Sequence, residues 1–150
     1  MDRASRCRFL AMCALAAHAS VAMPAQSPVA DIAKGRDVYG HECASCHGPR
    51  GEGAQGWQRP DAHGELPPPP HDAHGHTWKH SDAMLYRIVH DGWRDPFNRT
   101  SRLTMPAFAG RLGHADIVAV IEYLKTFWTG EERRFQAEES LGHPFPPAEP

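Results

Sequence analysis

The chain has 150 residues, with 16 Lys and Arg against 18 Asp and Glu and a formal net charge of −2 with the histidines neutral. That length suits one domain. No basic cluster is present to neutralise phosphates, so nucleic acid is excluded as a partner.

Asp2, Arg3, Arg6 and Arg8 form a short, net-positive opening. Phe9 to Ala17 follows as an apolar run, and Ser20-Val21-Ala22 supplies small residues. This predicts a signal peptide over residues 1–22, cleaved after Ala22 or Ala25. The apolar run is too short to span a bilayer, so the reading is export without a membrane anchor. Cys7 and Cys13 lie inside this segment, and Met12 is too large for a lipoprotein acceptor site. The remaining chain keeps two cysteines, which excludes a disulfide scaffold. It also keeps 13 basic and 17 acidic residues, a mildly acidic balance suited to basic patches on partners.

Residues 23–30 read as a flexible lead-in. A helix is predicted from Asp31 as N-cap, with Ile32, Gly35, Val38 and Tyr39 on one face. Gly35 inside a helix costs about 1 kcal/mol against Ala, which hints at a close helix crossing there. That helix runs into Cys43-Ala44-Ser45-Cys46-His47-Gly48. C-x-x-C-H is the attachment signature of c-type haem. Two thiols from one turn of chain add to the two vinyl groups, and the next His is placed under the iron as an axial ligand. A thioredoxin-like pair would need a preceding strand, and residues 34–42 hold no run of β-branched residues. A zinc site could borrow His76 and His80, but 29 residues separate Cys46 from His76, against about 12 to 15 in zinc fingers.

Residues 48–56 are a glycine-rich loop, and Trp57 is either a haem-wall residue or core. Residues 58–76 read as loop, with Pro67 to Pro70 in polyproline II. A proline carbonyl here, with Pro60 a candidate, could accept the imidazole N–H of His47. His63, His71, His74, His76, His80 and His90 crowd this stretch. They read as a copper or zinc site or as a solvated loop, and their irregular spacing favours the loop. Ser81 caps a predicted helix from Asp82 to His90, ended by Asp91-Gly92. Residues 93–104 lack a helical period. Pro106 biases Met105 to extended backbone, so its soft thioether could reach a metal. Met84 is a rival on an apolar helix face. A last helix is predicted from His114 to Trp128, with Ile117, Val120, Ile121, Leu124 and Trp128 as its stripe. Residues 130–150 read as a charged, then proline-rich tail holding a short polar helix and a loose end.

Taken together, Gly35 and Tyr39, C-x-x-C-H-G, the glycine-rich loop, the helix ending in Asp91-Gly92, Met105-Pro106-Ala107-Phe108 and the helix with Glu122-Tyr123-Leu124 resemble class I mono-haem cytochrome c. The resemblance implies an all-α cytochrome c fold over residues 31–129, three to five helices wrapped around one haem c covalently attached per chain. It implies Cys43 and Cys46 as attachment residues, with His47 and Met105 as axial ligands to the iron. It implies Gly35 and Tyr39 against the neighbourhood of Tyr123. With both axial positions filled, the expectation is a periplasmic one-electron carrier and no enzyme, serving a redox protein donor and acceptor. Docking to a membrane oxidase or dehydrogenase stays open. The alternatives are a haem enzyme with a displaceable distal ligand, peroxidase-like or a small-ligand reductase, and a gas- or copper-binding module. The stretches Thr77-Trp78-Lys79-His80 and Trp93 to Thr104 are not general features of that family.

Overall fold

The computed structural model describes residues 28–148. Among them the regular structure is helical, with no strand beyond one isolated antiparallel bridge between Trp93 and Met105. The predicted signal peptide lies outside the described residues. No helix among the described residues is long and apolar enough to cross a membrane.

The first helix, α1, spans Pro28–Val38. It starts earlier than the sequence predicts, with Asp31 in its first turn rather than at the cap. A proline is tolerated where the helix has no N–H to donate, and an acidic side chain there suits the helix dipole. The chain then widens into a π-helical turn over Tyr39–Cys43 and tightens into α2, Ala44–His47. Helix α3 spans Asp82–Asp91, and the Ser81 hydroxyl accepts the Met84 N–H at its start. Helix α4 spans His114–Leu124. Asp116 reaches back to accept the Gly113 N–H at 3.0 Å, the reciprocal half of a capping box, while the glycine offers no side chain for the other half. The predicted helix to Trp128 instead ends as a 3₁₀ turn over Lys125–Phe127. Helix α5, Gly130–Ser140, opens on a Thr129–Glu132 capping box.

Helices α1 and α4 cross at Gly35. A Cβ on Gly35 would lie 2.0 Å from the Ala119 carbonyl oxygen and 2.8 Å from the Tyr123 Cβ. The glycine is what lets the two backbones meet. Tyr39, one turn on, is fully buried, with its ring 5.5 Å from that of Tyr123. The core continues through Ile117, Val120, Ile121, Leu124 and Trp128 of the C-terminal stretch to Leu85 and Val89 of α3 and to Phe108.

Asp82 ties three helices together. Its carboxylate pairs with Lys125 at 2.8 Å and accepts from Gln136 Nε2 at 2.7 Å, while its N–H donates to the Ser140 hydroxyl. The end expected to be loose is seated against this assembly. The Ala83 N–H donates to the His143 carbonyl, His114 Nε2 donates to the Pro146 carbonyl at 2.7 Å, and Phe145 packs on the core. A proline-rich segment makes no internal ladder, so its carbonyls are free to accept from neighbouring elements.

Candidate functional site

The π-turn and α2 present Cys43 half-buried, Cys46 exposed and His47 buried, on consecutive turns of chain. Both thiols are free. Burial, then the charges of Glu42 and Cys46, push the Cys43 thiol up to about 12. A redox dithiol needs a thiolate near neutral pH, so this pair is poorly suited to thioredoxin-like exchange.

His47 is held from one side by the polyproline run. Its Nδ1–H donates to the Pro69 carbonyl at 2.9 Å, which leaves Nε2 as the ring nitrogen able to ligate a metal. Pro60, the candidate acceptor in the sequence, is exposed and takes no part. The reason is visible in the run itself. Polyproline II has no internal hydrogen bonds, and successive carbonyls here serve three partners: Pro68 accepts the Ala54 N–H, Pro69 the His47 ring and Pro70 the Thr77 hydroxyl. The glycine-rich loop packs directly on the run. Gly53 has φ +70° and its N–H donates to the His47 carbonyl at 2.8 Å, while a Cβ there would lie 2.4 Å from the Pro70 nitrogen. The Tyr39 hydroxyl closes the other end, donating to the Gly48 carbonyl at 2.6 Å. Burial holds the His47 imidazole below its ordinary value, partly offset by the bond to Pro69. The ring therefore stays neutral at neutral pH, the form that ligates metals.

His71 was expected in a solvated loop with the other histidines. It instead stacks on His47, with ring centroids 4.2 Å apart and an interplanar angle of 28°. Burial, with His47 and His76 alongside, holds its imidazole well below the ordinary histidine value. His76 stacks on Trp57 and meets His80 edge-on at 5.3 Å. Among the described residues no three His, Cys, Asp or Glu side chains converge as metal ligands. Cys43 and Cys46 therefore do not come together with His76 and His80 as a zinc site would require.

Met105 sits on the opposite branch of the chain. Its backbone pairs with Trp93 through two bonds of 2.9 Å, and its half-buried side chain packs on the same core as Cys43. Glycine is needed at position 92, with φ +79° and the Met105 carbonyl 2.7 Å from where a Cβ would stand. The rival Met84 is half-buried on α3 and outside the core cluster. The loop between Trp93 and Met105 is braced by buried Asp95 and Asn98. Asp95 accepts the Phe97 and Leu66 N–H groups, Asn98 bonds Arg102 and Thr100, and buried Glu65 pairs with Arg102.

The donor set tests whether a haem suits these residues. With a neutral His47 offering Nε2 and two free thiols before it, the residues fit the group. The indole Nε1 of Trp78 is buried with no hydrogen-bond partner. Trp78 stood in a stretch the sequence marks as unusual, but nothing local identifies its N–H as unpaired.

The family model described as Cytochrome c matches residues 32–128 of the chain. No solved structure matches it.

Proposed function

Because this chain belongs to the cytochrome c family of haem-binding electron-transfer proteins, we propose that it is an exported, class I carrier with one haem per chain. In this reading Cys43 and Cys46 would hold the haem covalently, and His47 and Met105 would ligate its iron. The bound group supplies reversible one-electron chemistry at iron. The chain supplies the rest. Pro69 orients the His47 ring and raises its basicity as a ligand. Tyr39, Leu85, Phe108 and Ile121 exclude water from the surroundings, which favours the less charged state of the iron. Met105, a soft neutral ligand, acts in the same direction. With His47 and Met105 both committed to the iron, no ligand position would remain for a substrate, so the reading is a carrier and not an enzyme.

The observation that carries this reading is the bond between His47 Nδ1 and the Pro69 carbonyl, directly after two unpaired cysteines. It commits one ring nitrogen and leaves the other to ligate. Export to the periplasm rests on residues 1–22, outside the described region. Redox donor and acceptor proteins are the partners the reading requires.

The test is an absorption spectrum of the full chain co-expressed with haem-attachment machinery, oxidised and reduced. The expected result is covalent haem with the weak long-wavelength ferric band of a methionine sulfur ligand, lost in Met105→Ala. A reduced wild-type protein that binds carbon monoxide without delay would overturn the carrier reading in favour of an open distal site. A protein without covalent haem would overturn the attachment.

A further inference from the structure

We propose that His71 is the positioning residue of His47, its stacked ring fixing the rotation of the proximal imidazole. This rests on the reading of His47 as an axial ligand. The bond to Pro69 anchors one atom of the His47 ring but lets the ring rock about the line from Nδ1 to the carbonyl oxygen. A flat wall against the ring face removes that freedom. The His71 ring is such a wall, 4.2 Å away and within 28° of parallel.

The wall is itself fixed independently of His47. The His71 N–H donates to the Gly51 carbonyl at 2.7 Å, and its carbonyl accepts the Trp128 indole N–H at 2.8 Å. Its ring is pinned by Thr77. The Thr77 hydroxyl donates to the Pro70 carbonyl at 3.4 Å, so at 2.9 Å it accepts from His71 Nδ1–H. Thr77 is buried, so this arrangement is shielded from water. Two backbone bonds and one ring bond thus hold a flat imidazole against the ligand. An aliphatic side chain would fill the volume but would have neither the flat face nor the bond to Thr77. The role extends the usual way in which partners of a ligand orient it, here through ring stacking instead of a bond to the ligand's own N–H.

The readout is direct. In a low-spin ferric haem with imidazole and thioether ligands, the imidazole plane and the sulfur lone pair together set the direction of the half-filled iron orbital, so turning the imidazole at fixed Met105 moves it. The electron paramagnetic resonance g-values and the order and spread of the haem-methyl proton shifts report that direction. We would compare haem-loaded wild type with His71→Leu, His71→Phe and Thr77→Val, with circular dichroism and urea midpoints as checks on folding. His71→Leu is expected to change the methyl-shift spread and move the midpoint potential while the absorption spectrum stays low-spin. Thr77→Val is expected to give a smaller change in the same direction. His71→Phe, which keeps a flat ring, is expected to retain the wild-type methyl order.

Wild-type g-values, methyl shifts and potential in His71→Leu would overturn the proposal, leaving His71 a space filler. Loss of the low-spin spectrum in that variant would also overturn it, since His71 would then be an iron ligand itself. Should His71→Leu fail to fold, His71→Phe and Thr77→Val decide. A His71→Phe pattern further from wild type than that of Thr77→Val sinks the stacking role. Absence of an imidazole ligand in the wild type sinks both this proposal and the reading it rests on, and is seen before any variant is made.

Discussion

Trp128 reaches the neighbourhood of His47 through a single bond. Its indole N–H donates to the carbonyl of His71, 57 residues earlier in the chain, and its ring is almost wholly buried. Replacing it by Phe keeps most of the apolar area and removes only the donor, leaving a carbonyl without its partner. Trp128→Phe should destabilise the protein by about 1–2 kcal/mol, read as a fall in the urea midpoint. A midpoint unchanged within error would mean that the bond is not made in solution. None of this is visible in sequence. Trp128 reads as the end of an apolar stripe, and that is correct for its ring. Its N–H, the His71 carbonyl, Pro69 and Trp78 matter through contacts that span many residues, and no local pattern encodes a partner at that distance. His71 is the sharpest case. A histidine among five others in a loop looks solvated until the polyproline run and Thr77 are seen to fold around it.

The helices were more legible, because their signals are local. Ser81 as a cap, Asp91-Gly92 as a stop and the stripe from Ile117 to Leu124 each act within a few residues, and the structure places α3 and α4 accordingly. The ends shifted where tertiary packing took over. The chain after Leu124 narrows to a 3₁₀ turn, which brings Lys125 onto Asp82. Gly35 shows how an element-level signal and a packing demand oppose each other. By helix propensity alone, Gly35→Ala in α1 should stabilise by about 1 kcal/mol. The added methyl would stand 2.0 Å from the Ala119 carbonyl oxygen, and backbone cannot yield cheaply. The variant should therefore lose about 2–3 kcal/mol as α1 and α4 are forced apart. Thermal and urea unfolding would check the sign, and a gain in stability would show that the crossing is looser than described.

For the molecule as a whole, the histidines set the pH behaviour. Burial holds His71, His76 and His80 below the ordinary value of 6.5, with neighbouring imidazoles and, for His76, Lys79 adding to it. The unfolded chain binds protons at these sites before the folded chain does, so stability is full above pH 6.5 and falls as pH drops below it. Asp116 adds a second loss at lower pH. Its bond to Lys34 holds its carboxyl below 3.8, and that contribution disappears as it protonates. Tyr39 works at the other extreme. Burial raises its phenol, so stability declines as pH rises through 10.0, where the unfolded chain ionises first. Urea midpoints should hold level from pH 8 to about 6.5 and fall from there to pH 5, and a profile flat throughout would mean that these imidazoles are solvated. The crossing of α1 with α4 also bears on timing. A chain made from its N-terminus has α1 and Cys43 to His47 in hand long before α4 exists to dock on them. Until then the thiols stand on an unfinished surface, open to any factor that must reach them. In the folded chain without haem the Cys43 thiol is half-buried and burial raises it, so its thiolate is scarcer than on an open chain. A factor that needs both cysteines open is therefore expected to act before α4 docks.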